Sequence, residues 1–210
     1  MEIENLKERP KDSLILQLLS GEGQVELIRK YKELFEKENI RISQVLLTHH
    51  NFSSKKERKT IIRILNAYLK KGIIPIINEN DLVNKEELEK NKIFTDNDIL
   101  SAIISISMKT DLTIILTDVD GLYDSNPNEN KQAKLIEQVK EITQETKQLA
   151  KGKSNLGLGG MLSKIIAAEI MNKQGIDVIV GNGNYNIINL IENKVNRTLF
   201  KSNNLNITKI

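Results

Sequence analysis

Three clusters of polar or glycine-rich residues in this 210-residue chain could do chemistry, and each lies beside an apolar run. The first, Asn78-Glu79-Asn80-Asp81, directly follows the run Ile73 to Ile77. Its amide and carboxylate side chains could hold a substrate through hydrogen bonds. Asn and Asp are also common turn formers, so a simple turn is the alternative interpretation.

The second cluster, Thr95-Asp96-Asn97-Asp98, precedes an apolar helical pattern that begins at Ile99. Asp96 is placed to cap that helix, whose free backbone N–H groups and dipole favour anions. Asn97 and Asp98 could bind an amino group, orient a nucleophile or hold a metal. The alternative is an acidic first turn with no function.

The third cluster is the glycine-rich segment Gly157 to Gly160, which runs into Met161-Leu162-Ser163-Lys164. Glycines permit close backbone approach to a phosphate, N–H groups supply donors, and Lys164 adds a positive charge. The glycine and lysine spacing differs from that of a Walker A motif. From this segment alone, a phosphate site and a glycine turn without a ligand are both open.

Alternating helical and extended patterns predict the elements that position these clusters. Apolar residues at helical spacing predict helices over 27–35, 61–69, from Asp96 onward, and 161–172, whereas short apolar runs predict strands over 40–47, 73–77, 112–116 and 176–180. Such alternation predicts an α/β fold with a mostly parallel sheet covered by helices on both faces. Functional groups in such folds gather at the carboxyl ends of the strands.

Composition narrows the class of protein. The chain has 39% hydrophobic and 28% charged residues, a formal net charge of +3 and no cysteine. Cysteine nucleophiles, thiolate metal sites and disulfides are excluded, and a reducing cytoplasm is the expected location. No apolar run approaches the roughly 20 residues that span a bilayer. We expect one soluble domain over residues 1–201 with a polar tail over 202–210, and neither a membrane nor a nucleic-acid partner.

A fourth cluster, Leu116 to Tyr123, directly follows the strand predicted over 112–116. The four clusters together resemble, in order and in spacing, the motifs of the glutamate 5-kinase group of the amino-acid kinase family. The resemblance extends from about Leu18 to Phe200 and so covers nearly the whole chain.

The resemblance implies the three-layer amino-acid kinase fold, with a mostly parallel central sheet. It also implies ATP-dependent phosphorylation of the side-chain carboxylate of L-glutamate to glutamate 5-phosphate, the first step of proline biosynthesis, with Mg²⁺ bridging the phosphate oxygens. A homo-oligomer is expected.

Roles follow by position in the resembling motifs. Asp98 and Lys164 would be catalytic, Asp98 by organising the transfer centre and Lys164 by neutralising charge, and no side chain is assigned to a metal. Glutamate would be held by Asp81 and Asn97, assisted by Asn78 and Asp96. The ATP site would comprise Thr117, Asp118, Leu158, Gly159, Gly160, Met161, Leu162, Ser163 and Lys164.

Departures from the family pattern leave the activity open. The Lys-x-Gly-Ser/Thr-Ser/Thr turn and the Ser-Gly-Ala turn of the family have no counterpart, so we expect the first strands and their phosphate-binding segment to be missing. Ser20 to Gly23, placed at a helix entry, fills neither role. Three interpretations remain: an active glutamate kinase, an impaired remnant that binds nucleotide or amino acid, or a kinase of this fold with another acceptor.

Overall fold

A computed structural model describes residues 10, 12–83, 96–127, 129–150 and 160–202. These residues form two compact units, one within residues 1–91 and the other within residues 92–210. None of the described helices is long and apolar enough to cross a membrane.

Among its described residues, the first unit contains two long helices and a pair of parallel strands. In chain order its elements are α1 (Ser13–Glu36), β1 (Arg41–Leu47), a 3-10 turn (His49–Phe52), α2 (Lys55–Lys70) and β2 (Ile73–Glu79). The strands pair from Arg41 opposite Ile73 to Leu47 opposite Glu79, so their carboxyl ends lie side by side. Helix α1 packs on β1, and α2 packs on β2.

Local signals explain where these two helices begin and end. The Asp12 side chain accepts a hydrogen bond from the Ile15 N–H at 3.0 Å and caps α1. Ser54 caps α2 in the same way. Gly72 then ends α2 with a φ of +66°, a left-handed conformation that glycine adopts at little cost. The chain turns directly from there into β2.

The second unit contains a four-stranded sheet and four helices among its described residues. Its elements are α3 (Asp96–Met108), β3 (Leu112–Thr117), β4 (Gln138–Val139), α4 (Gln144–Leu149), α5 (Met161–Asn172), β5 (Asp177–Asn182), α6 (Ile187–Ile191) and β6 (Arg197–Phe200). The strand order is β3-β5-β6-β4. The pairs β3/β5 and β4/β6 are parallel, and β5/β6 is antiparallel.

The core of the second unit lies around β5 and α5. Val178 and Val180 of β5 and Ile165 of α5 are fully buried, and Phe200 at the end of β6 joins them. Four consecutive residues of β5, from Val178 to Gly181, are buried, as expected for a strand covered on both faces. Helix α5 packs against both β5 and α3, which brings the start of α5 close to the start of α3.

The predicted α/β architecture with mostly parallel pairing is confirmed, although the described strands form two sheets and β6 runs antiparallel to β5. The helix predicted over 161–172 has those bounds. The interpretation of Ser20 to Gly23 as a helix entry is wrong, because these residues lie inside α1. The boundary at residue 201 stays a prediction.

Candidate active site

A lysine and an aspartate from different helices meet in the second unit. The Lys164 Nζ lies 3.3 Å from the Asp98 Oδ2, and the Ser163 Oγ donates to the same carboxylate oxygen at 2.6 Å. Asp98 lies in the first turn of α3, while Ser163 and Lys164 lie in the first turns of α5. The packing of α3 against α5 therefore joins two predicted catalytic residues that are 66 positions apart.

This pair is shielded from water and lies at the start of a helix. The Lys164 and Asp98 side chains are only 12% and 11% exposed, so neither charge is well solvated. Lys164 also lies near the positive end of the α5 dipole, which is unfavourable for a cation and which the charge of Asp98 compensates. Gly160 caps α5 without a side-chain hydrogen bond, and the first turn of α5 contains no acidic residue. Backbone N–H groups and an ammonium thus converge at one helix start.

The carboxyl ends of β3 and β5 form a second polar cluster in this unit. Thr117 pairs with Asn182 at the end of the β3/β5 ladder, and the Thr117 Oγ1 donates to the Asp118 carboxylate at 3.0 Å. The Asn182 side chain donates to the Asp118 carbonyl oxygen at 3.3 Å and to the Asp120 carboxylate at 3.2 Å. The predicted ATP-site residues Thr117 and Asp118 therefore lie at the end of β3, where Asn182 of β5 contacts both.

Asp120 is the negative centre of this cluster. Burial and then the charge of Asp120 raise the pKa of Tyr123, whereas the charge of Asp120 is the main cause of the raised pKa of Tyr185. Both phenols therefore keep their protons at neutral pH and remain hydrogen-bond donors. Asn196 also donates to the Asp120 carboxylate, at 3.3 Å.

The first unit has a cavity of about 250 Å³ between α1 and the residues that follow β2. The carboxylates of Glu79 and Asp81 line it, Glu79 being only 4% exposed. The Oδ1 atom of Asn80, another lining residue, is buried and has no hydrogen-bond partner among the described residues. The described lining contains no lysine, arginine or histidine, so acceptors outnumber donors there.

The model of the amino acid kinase family matches residues 1–182. The chain belongs to the amino acid kinase family.

Curated relatives of this family member include several glutamate 5-kinases. The enzyme from Clostridium acetobutylicum is 45% identical over 179 residues, which make up 85% of this chain and 66% of that protein. The enzyme from Lactococcus lactis subsp. lactis is 41% identical with the same coverage. The enzyme from Thermoanaerobacter sp. is 40% identical over 90% of this chain and 50% of its own. The chain thus spans between half and two thirds of the length of these relatives.

Solved structures of two other kinases share the fold. An isopentenyl phosphate kinase from T. acidophilum superposes with a TM-score of 0.59 at 16% identity, covering 92% of this chain and 74% of its own. A UMP kinase from Ureaplasma parvum superposes with a TM-score of 0.51 at 18% identity, covering 79% and 62%. At these identities the likeness concerns the fold alone.

The remaining predicted site residues of this amino acid kinase family member are spread over both units. Asn78 lies near the end of β2 opposite Leu46, Asp96 begins α3, and Asn97 is exposed beside Asp98. Met161 packs against the core of the second unit, and Leu162 is half-buried in the first turn of α5. Leu158 and Gly159 lie outside the described residues.

Sequence reasoning assigned no role to several residues that contact the predicted site residues or their neighbours: Ser20, Asp120, Asn182, Tyr185 and Asn196. Asn182 had a usable signal, because it is the last residue of β5 as Thr117 is of β3, and both strand ends lie at one edge of the sheet. The contact between Ser20 and Asp81 had no signal, since it joins residues 61 positions apart.

Proposed function

We propose that this chain is the catalytic domain of a glutamate 5-kinase, which uses ATP to phosphorylate the side-chain carboxylate of L-glutamate in the first step of proline biosynthesis. The observation that carries the proposal is the contact of Asp98 with both Lys164 and Ser163 at the start of α5. Within the described part of the second unit, it places a nearly buried ammonium beside a helix N-terminus that suits a phosphate.

The Lys164 ammonium would neutralise charge on the phosphoryl group during transfer. Positioned cations and backbone N–H groups stabilise this reaction because charge spreads over the phosphoryl oxygens in the transition state. Asp98 would hold the Nζ atom in place, and Ser163 would fix the Asp98 carboxylate by donating to Oδ2. The segment from Leu158 to Lys164 would wrap the phosphates of ATP.

The acceptor would need binding rather than activation by a base. A glutamate side chain is already ionised at neutral pH, so its oxygen can attack without losing a proton. Catalysis then consists of alignment and charge neutralisation. Asp81 and Asn97, assisted by Asn78 and Asp96, would hold the amino acid, and the acceptor-rich cavity beside Asp81 suits a donor such as an α-ammonium group.

The nucleotide would lie along the strand ends that carry Thr117 and Asp118. Mg²⁺ would supply further positive charge at the phosphates when ATP binds, because magnesium in kinases is held largely by substrate oxygens. Among the described residues, no group of three or more histidine, aspartate or glutamate side chains could hold a metal ion.

Replacement of Lys164 tests the phosphoryl-transfer role. Lys164→Ala should lower glutamate-dependent ADP formation by about a hundredfold or more, the usual loss for one preorganised charge contact. Lys173→Ala is the matched control, since Lys173 is the C-cap residue of the same helix, is 68% exposed and pairs with Glu169. Equal turnover and ATP affinity in the two variants would refute the assignment of Lys164.

Three further variants separate recognition of glutamate from the transfer step. Asp81→Ala and Asn97→Ala should chiefly raise KM for glutamate, because their proposed contacts are to the ground-state substrate. Asp98→Ala should chiefly lower kcat. An acceptor panel of glutamate, aspartate and UMP, assayed on the parent chain, tests the substrate class. Faster turnover of another acceptor would reject glutamate.

A further inference from the structure

Helix α1 contacts the turn that carries Asp81 through two side chains one helical turn apart. The Ser20 Oγ donates to the Asp81 Oδ2 at 2.8 Å, and the Gln17 Nε2 donates to the Leu82 carbonyl oxygen at 3.0 Å. Residues three positions apart share one face of a helix, so both bonds come from the same side of α1. The two acceptors, Asp81 and Leu82, are consecutive residues of the turn.

Close packing reinforces these two hydrogen bonds. Gln17 is only 8% exposed, so its amide bond to the turn is largely shielded from water. A Cβ atom added to Gly21 would lie 3.3 Å from the Leu82 Cδ2, which shows how closely the helix approaches the turn. Ser20, Gly21 and Leu82 all line the cavity beside Asp81. Helix α1 therefore lines the cavity and also holds the turn with Asp81 and Leu82, which lines it as well.

We infer that Ser20 is a positioning residue for the amino-acid substrate and acts by fixing the rotamer of Asp81. A carboxylate accepts through two oxygens, and a neutral hydroxyl orients it without cancelling its negative charge. Asp81 therefore keeps its attraction for a cationic group while its direction is set by α1. This inference rests on the proposed role of Asp81 in binding glutamate.

The inference predicts an effect on glutamate binding alone. Ser20→Ala should raise KM for glutamate about three- to tenfold, the usual worth of one hydrogen bond, while kcat and KM for ATP stay unchanged. Ser20→Thr keeps a hydroxyl at this position and should restore most of the lost affinity. In an Asp81→Ala background, Ser20→Ala should add nothing further, because its partner is already gone.

A matched control removes a comparable bond elsewhere. The Ser125 Oγ donates to the Asp124 carboxylate at 3.0 Å in an exposed loop, so Ser125→Ala should leave the kinetics unchanged. Amide hydrogen exchange supplies a readout that needs no substrate. Ser20→Ala should speed exchange of the Val83 amide, which bonds to the Asn80 carbonyl oxygen, and leave β1 unaffected.

The outcomes distinguish this inference from the proposed function. A parent chain that neither binds nor phosphorylates glutamate would refute the proposed function, and the exchange rates would then decide whether Ser20 holds the turn. An unchanged KM for glutamate in an active Ser20→Ala variant would overturn the inference. Equal increases in KM for Ser20→Ala and Ser20→Thr would also overturn it. If the parent does not use glutamate, the inference is overturned when Ser20→Ala leaves the exchange rate of the Val83 amide unchanged.

Discussion

The hydroxyl of Thr198 joins three segments of the second unit, and its removal should be costly. Thr198 lies on β6 and is fully buried. Its Oγ1 accepts a hydrogen bond from the Leu122 N–H at 2.8 Å and donates to the Ile136 carbonyl oxygen at 2.8 Å. The first bond holds Leu122, at the end of the segment 118–122 that follows β3. Asp118, the first residue of this segment, is one of the residues assigned to the nucleotide.

Thr198→Val keeps the shape of the side chain and deletes both bonds. A buried donor or acceptor left without a partner costs about 1–3 kcal/mol. Two such groups would sum to about 2–6 kcal/mol, and local relaxation favours the lower half of that range. We therefore expect Thr198→Val to lower the free energy of unfolding by about 2–4 kcal/mol. Thr198→Ser keeps the hydroxyl and loses one buried methyl, which should cost only about 1 kcal/mol.

Urea denaturation followed by far-UV circular dichroism would measure these differences, with amide exchange at Leu122 as the local probe. Thr198→Val should also weaken ATP binding more than glutamate binding, since the loosened segment follows β3. If Thr198→Val proved as stable as Thr198→Ser, with Leu122 equally protected, the two hydrogen bonds would not hold this segment.

Two other predictions concern the same unit. Gly121→Ala should destabilise it by at least about 1 kcal/mol, because an added Cβ would clash with the Thr198 Oγ1 and lie 2.9 Å from the Thr198 backbone nitrogen. A thermal melt that matches the parent would contradict this prediction. Although partial burial acts to raise the pKa of Asp177, the hydrogen bond from Lys201 at 2.5 Å helps to lower it overall. The resulting stability is present above the unfolded pKa of about 3.9 and is lost as pH falls through the lower native value. Urea midpoints between about pH 6 and pH 2 should therefore fall more steeply for the parent than for Asp177→Asn, and parallel curves would refute the linkage.

Local patterns in the sequence predicted most elements well but failed where distant contacts decide the structure. The bounds of α5 follow from glycines on either side of a continuous apolar helical face. The segment from Ser20 to Gly23, placed at a helix entry, contains two glycines, and each costs a helix about 1 kcal/mol relative to alanine. Helix α1 continues through them because it packs on β1 and on the turn after β2. The direction of β6 was not predictable, because apolar alternation is the same in parallel and antiparallel strands.

The two acids predicted to act in the site had a signal in the sequence, whereas their long-range contacts with serines had none. Asp81 and Asp98 could be selected from the sequence because a carboxylate at a strand end or helix start is a visible chemical signal. Ser20 and Ser163 contact them across 61 and 65 positions; Ser163 was predicted only as an ATP-site residue, and no local pattern indicates either contact. In both cases a helix donates a neutral hydroxyl to an acid, which orients the carboxylate without adding a charge of its own. By contrast, Glu169 accepts from Lys147 and Lys173, and its lowered pKa reflects these ion pairs, so its charge is already compensated within the fold. Asp98 combines both donors, a hydroxyl and an ammonium, which suits a residue whose proposed task is to hold the Lys164 ammonium in place.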